Sequence, residues 1–519
     1  MNGVLNSVWQ ADLGDGCYQN PVLHADYSDP DIVCIGDDIY MVASSFNHIP
    51  GLPVLHSRDM VSWTIINHVV PRINFPAYDS VQPGKGIWAP SIRYHDGLFW
   101  VFYSMPDEGI FMSYAENPAL TWSEPHCIKA VKGWIDPCPF WDNNGRAWLV
   151  HAFAYSRSGI KHQLQLCEMS PDARSLLDAG HIIFDGTVSH PTIEGPKVYQ
   201  RNGWYYIFAP AGGVESGWQT VLRSRQITGP FETLDVLHQG RSGVNGPHQG
   251  GWVELKNGKC WFMHFQDAAH AGRVVHLQPM HWRDDDWPGI GENINAQGLG
   301  EPVSTHSKPV ILHTGRPYGP QTTDNFAEGN YGLQWQWQAN PHSRWVIPSR
   351  TGLTLTCQPF GARFIYDTPQ LLLQKFPAPE FVAETLLSPD FLHVGEQSGL
   401  IVYGERYAAI SVCQEENQQA LVFDFGWMSD AGILNQKRTV VGMLNSDQPV
   451  FIKVKVSARG VCHFFYKQAG EAEWRAIIPS FSASAGKWVG AKIGIYSASA
   501  SENLNCGCSR FDYFSISGH

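Results

Sequence analysis

The chain has 519 residues, and its 36 Lys plus Arg against 48 Asp plus Glu give a formal charge of −12 with neither sign gathered in runs, which excludes a nucleic-acid binder held by phosphate contacts. Charged residues make up 16% and aromatics 13%, with 20 Trp; against the about 25% charge of an average soluble chain, this excludes a disordered protein or a coiled coil. At roughly 150 residues per domain the length has room for more than one core.

The opening MNGVLNSVWQADLGDG has neither the basic n-region nor the ~7–15-residue apolar core of a secretory signal. No stretch approaches the ~20 apolar residues of a membrane span. A soluble, cytoplasmic protein with no membrane partner is expected. Eleven cysteines from Cys17 to Cys508 show no framework spacing and are expected as reduced thiols.

A repeated pattern comes next. Gly36-Asp37-Asp38 precedes IYMVASS, Asp96-Gly97 precedes LFWVFYS, Asn144-Gly145 precedes RAWLVHA, Asn202-Gly203 precedes WYYIFAP, and Asn257-Gly258 precedes KCWFMHF. Each is a turn signal entering an aromatic and β-branched run, as in a hairpin leading to a buried strand. The glycines recur roughly every 50–60 residues, enough for about four short strands with loops. This predicts an all-β fold, a five-bladed β-propeller, with a large β-sandwich as the alternative. After Trp287-Pro288 the pattern stops. A Gly/Pro/Thr-rich stretch runs through Gly315 to Pro320, and longer alternating strands follow from Phe381, Gly399, Ala420, Val450, Ala491 and Arg510. These predict an antiparallel β-sandwich, with residues 1–318 forming the propeller and 319–519 the sandwich.

Three acidic residues stand beside strands and next to Pro or Gly: Asp29 in Ser28-Asp29-Pro30, Asp136 in Ile135-Asp136-Pro137 and Glu194 in Glu194-Gly195-Pro196. Equivalent places in three blades would face one centre. Taken singly, an Asp-Pro pair is most often a turn.

The ordered series NPVLHADYSDPDI, GIWAPSIRYHDGLFWVFYS, IDPCPFWDNNGRAWLV, TIEGPKVYQRNGWYYIFAPAGG and GPHQGGWVE, followed downstream by LQWQWQANP, resembles glycoside hydrolase family 43. The likeness is to its two-domain β-xylosidases and α-L-arabinofuranosidases, which carry a concanavalin-like sandwich. That resemblance implies an inverting hydrolase with Asp29 as general base, Glu194 as general acid and Asp136 as the carboxylate that orients the acid and, while ionised, keeps it protonated. Base and acid would stand about 6.5–9.5 Å apart. It also implies that Phe46 and Trp88 wall the terminal sugar, although simple core packing is the alternative for both, and that Arg273 donates to sugar hydroxyls. His248, counted with the substrate-binding residues, matches a histidine near the propeller axis, close to a calcium ion or a water cluster. Calcium prefers oxygen ligands, so a histidine orienting Asp136 or a water is the other reading. No cofactor is required on this view, and calcium stays open.

The expected activity is exo-release of single pentoses, D-xylose from β-1,4-xylooligosaccharides or L-arabinose from arabinoxylan fragments, by one or both specificities. Homo-oligomerisation is left open. The competing class is a carbohydrate-binding protein without catalysis, because propellers and lectin-like sandwiches also bind sugars uncleaved. The three carboxylates together favour the enzyme.

Overall fold

The computed structural model describes residues 8–310, 318–429, 431–445, 448–500 and 506–518. Five four-stranded antiparallel sheets follow one another from Asp31 to Ile290. Their innermost strands are Asp31–Ile35, Trp88–His95, Trp134–Trp141, Lys197–Arg201 and His248–Glu254. The second strands, Asp38–Val42, Leu98–Met105, Ala147–Phe153, Trp204–Ala211 and Cys260–Asp267, start at the five turns read from the sequence. The turn glycines 36, 97, 145, 203 and 258 all have φ between +65° and +79°, a region where a Cβ is strained.

The period of two along these second strands assembles the ring. Met41 packs on the fifth blade while Val42 packs on the second. Val101 faces back to the first blade and Phe102 forward to the third. Leu149 and Val150, Ile207 and Phe208, and Phe262 and Met263 divide in the same way. Five apolar interfaces therefore hold five blades, and each second strand is hydrophobic on both faces. The strand Cys17–Gln19 pairs with Thr305–Ser307, and Leu23 bridges Val275, so the two ends of the propeller segment meet at the fifth blade.

The C-terminal part is a sandwich of two eight-stranded sheets around a core that includes Leu400, Ile410, Ile452, Phe464, Ile495 and Phe514. The six strands read from the sequence are present, and the further ones that complete the two sheets include three long strands, Arg406–Gln414, Leu434–Leu444 and Val461–Gln468. Helix among the described residues is confined to Tyr155–Ser158 and short 3-10 turns. Part of the Gly/Pro/Thr-rich stretch, residues 311–317, lies outside the described residues.

Sandwich and propeller meet at loops that matter for the site. Ile49 and Trp337 exchange backbone hydrogen bonds of 3.0 and 2.6 Å, Asn47 donates to the Gln338 carbonyl at 2.8 Å, and the Ala491 N–H donates to the His270 carbonyl at 2.8 Å. The loop that follows Phe46 is thereby fixed to the sandwich.

Candidate active site

At the start of each innermost strand the backbone turns through the left-handed region. The residues there are Asp29 (φ 55°), Ala89 (φ 29°), Asp136 (φ 56°), Gly195 (φ 57°) and Gln249 (φ 43°). In blades two, three and five this point is also a break in strand register, between Trp88 and Ser91, Ile135 and Cys138, and His248 and Gly250. Such bulges re-aim side chains, and non-glycine residues persist there only when their surroundings hold them. Repeating the device around a ring brings residues far apart in sequence to one end of the axis. Asp29 and Asp136 occupy the left-handed position itself, whereas Glu194 precedes it by one residue.

All three carboxylates line one cavity, with Phe46, Trp88 and Arg273 also in its wall. Asp29 and Glu194 come from the first and fourth blades, which are not neighbours in the ring, so they approach the cavity from separate sides. Asp29 is buried and strongly oriented. Its Oδ2 accepts from the Ser28 and Ser44 hydroxyls at 2.7 and 2.6 Å, and the Arg273 guanidinium lies 3.5 Å from Oδ1. The Glu194 side chain is 24% exposed and is held by His248 Nε2 at 2.8 Å. It is the most exposed of the three carboxyls.

Asp136 is 3% exposed and accepts from the Gly195 N–H at 2.8 Å, which ties it to the loop of the acid. Burial first, then the charges of Glu194 and Asp29, push its carboxyl well above the usual range, while the Gly195 N–H and Lys197 oppose the shift. Desolvation thus acts against the charged form of Asp136 itself, which runs counter to the expected arrangement of an ionised Asp136 beside Glu194. The sign for stability follows. A raised carboxyl contributes fully below its unfolded value, near 3.9, and that contribution is lost as pH rises through the folded value. Asp136→Asn should therefore raise Tm by roughly 2–4 °C at neutral pH, with the gain shrinking towards pH 4 and with activity reduced. Thermal melts at pH 4, 6 and 8 measure it.

Phe46 and Trp88 face each other at 6.0 Å between ring centroids, inclined by 60°. A third ring completes the wall. Trp488, carried by the sandwich, lies 6.3 Å from Trp88 and 5.8 Å from the Arg273 guanidinium. Arg273 also donates to the Ser28 hydroxyl at 2.7 Å, so it holds the Ser28-Asp29 pair as well as lining the cavity. His248 departs from the expected sugar contact and from the expected contact with Asp136. It is fully buried behind Glu194 and does not line the cavity.

Residues 18–288 match the profile of glycosyl hydrolases family 43, and residues 323–517 that of the beta xylosidase C-terminal concanavalin A-like domain. A protein of Xylanibacter ruminicola provisionally named a beta-xylosidase is 40% identical over 93% of this chain and 86% of its own length. The chain belongs to glycoside hydrolase family 43. The non-reducing end alpha-L-arabinofuranosidase BoGH43B of Bacteroides ovatus, also similar, is 28% identical over 77% of this chain and 76% of its own. The crystal structure of a xylan beta-1,4-xylosidase from Bacillus halodurans C-125 superposes with a TM-score of 0.82 at 25% identity, covering 96% of this chain and 99% of that one.

Within this family 43 chain, two parts of the cavity wall are residues that the sequence reading did not single out. Gln249 holds the fifth left-handed position; only the spacing of His248-Gln249 against the other four blades could have pointed to it. Trp488 sits in Gly486-Lys487-Trp488-Val489-Gly490, and a 41% exposed Trp in a glycine-flanked loop is the one local sign of it. Trp488→Ala should remove about 1–2 kcal/mol of ring contact, raising KM for xylobiose roughly 5–30-fold with a smaller change in kcat; initial rates over substrate concentration test it. No group of three or more His, Cys, Asp or Glu able to hold a metal occurs among the described residues. Nearby on the inner strands, Arg93 pairs with Asp31 at 2.7 Å and the buried Lys197 ammonium donates to Ser91 Oγ at 2.7 Å.

Proposed function

We propose that the chain is an inverting exo-β-1,4-xylosidase that removes terminal D-xylose from xylooligosaccharides. The observation that carries this reading is one cavity into which Asp29 and Glu194 project from non-adjacent blades, walled by Phe46, Trp88 and Trp488 from both domains. A cavity walled by rings holds a chain end, whose C–H faces pack on them. In this reading Asp29 draws the proton from a water as it attacks the anomeric carbon, and Ser28, Ser44 and Arg273 keep the carboxylate aimed. Glu194 gives its proton to the departing oxygen. Asp136, accepting from the Gly195 N–H, anchors the loop that carries the acid, and His248 steadies the acid from behind.

An α-L-arabinofuranosidase activity is the second reading, favoured by the likeness to BoGH43B. A binding protein without catalysis is disfavoured, because gathering three carboxyls in one cavity, two of them buried, costs stability and gains nothing for mere binding. Hydrolysis of xylobiose, of arabinoxylan fragments and of the paired nitrophenyl pentosides, with the anomer of the released sugar followed by NMR, tests all three. β-Configured xylosides yielding α-xylose support the proposal, retained β-xylose overturns inversion, and no release from any substrate overturns the enzyme reading. Hydrolysis without a metal is part of the proposal: rates after EDTA dialysis should match those before.

A further inference from the structure

Three residues before the base, Asp26 has a nearly inaccessible side chain. Its Oδ1 accepts from the backbone N–H of Arg273 at 2.9 Å, and the Arg273 carbonyl in turn accepts from the Tyr27 N–H at 3.0 Å. The segment carrying Asp29 is therefore fastened to the strand carrying Arg273, whose guanidinium reaches Ser28 and Asp29. The other Asp26 oxygen faces the sandwich. Lys492 Nζ lies 3.5 Å from Oδ2, and its side chain is only 3% exposed.

The surroundings explain why this contact is specific. Lys492 stands opposite Lys375 on the neighbouring strand of the sandwich, so two ammonium groups meet at the interface. Burial and then Lys492 hold Lys375 well below its usual value. Burial alone would push the Asp26 carboxyl up, but Lys492 first, then Lys375 and the N–H groups of Arg273 and Gly490, outweigh it and hold it down. The backbones are in close approach here: a Cβ on Gly272 would come within 2.6 Å of both Asp26 Oδ1 and the Gly490 backbone. No bulkier residue fits between the loop that precedes Arg273 and the loop that carries Trp488.

We infer that Lys492 of the sandwich is a positioning residue for hydrolysis, acting through Asp26 and Arg273 on the general base Asp29. The sandwich then belongs to the catalytic apparatus, both through Trp488 in the cavity wall and through a buried charge that sets the base. The inference rests on the proposed hydrolase reading, with Asp29 as the base.

The test compares kcat and KM of the full chain on xylobiose and on an aryl xyloside. Lys492→Met should lower kcat roughly 10–100-fold, the range a displacement near 1 Å produces. The factor should be equal on both substrates, because the water must be activated for each, and KM should change little. Lys492→Arg, which keeps the cation, should restore most of kcat. Asp26→Asn retains an acceptor for the Arg273 N–H and removes only the charge that Lys492 holds. It should reproduce the kcat loss, and it replaces Lys492→Met if that variant does not fold. A folded variant of either kind with wild-type kcat overturns the inference, as does a loss confined to Tm. Failure of both to fold overturns it too, since the pair would then be a bond between domains and no more. A wild-type chain inactive on both substrates overturns the hydrolase reading instead, before any variant is compared.

Discussion

Glu194→Ala should hydrolyse xylobiose about 10²–10⁴-fold more slowly than the wild type, the usual contribution of a positioned general acid, yet lose far less on a nitrophenyl xyloside. The asymmetry comes from the leaving group. A sugar hydroxylate is a poor leaving group at neutral pH and needs a proton as the bond breaks, whereas nitrophenolate departs with little help. Glu194 is suited to this task by exposure, being the most accessible of the three carboxyls while His248 fixes one of its oxygens. His248→Ala should give a milder form of the same pattern, because the acid remains but loses its support. Equal losses on both substrates for Glu194→Ala would show that Glu194 does not act on the leaving group.

Much of this arrangement is legible in the sequence because it is local. Five turn signals precede five apolar runs, and a glycine with positive φ at each turn is a requirement that single residues can announce. The positions of Asp29, Asp136 and Glu194 before their inner strands are likewise local, so their convergence follows once the blades are counted. Contacts made between blades or between domains leave no such trace. Nothing around Lys492 says that it meets Asp26, 466 positions away, and nothing in the Trp488 loop says that it faces Trp88. The revised roles have the same origin. His248 was expected to serve the sugar or Asp136, and only the register of the fifth blade shows its ring behind Glu194. The burial that raises Asp136 is a property of the packed ring. The strands at 406–414 and 434–444 escaped because the first is rich in Ala, Ser and Cys and the second is an exposed edge strand with a mixed surface.

Asp29→Ala should fall by a similar large factor on every substrate, natural or activated, because no glycoside is released by inversion without a water that has lost its proton. General-base contributions of about 10²–10⁴ set the scale. The geometry argues for this residue over the other two. Asp136 is buried with its carboxyl pushed up, which makes it a poor resting base, and Glu194 is the most accessible of the three. Asp29 instead sits among Ser28, Ser44 and Arg273, donors that fix a carboxylate in one orientation. Removing it leaves those donors around a space the size of a small anion. Azide should therefore restore part of the rate on the aryl xyloside in Asp29→Ala, giving the glycosyl azide of inverted configuration. It should restore none in Glu194→Ala by that route, since the native carboxylate still fills the space. An Asp29→Ala enzyme that kept its rate on the activated substrate while Glu194→Ala lost it would exchange the two roles. The exposure of Glu194 and the hydroxyl cage of Asp29 would then need another explanation.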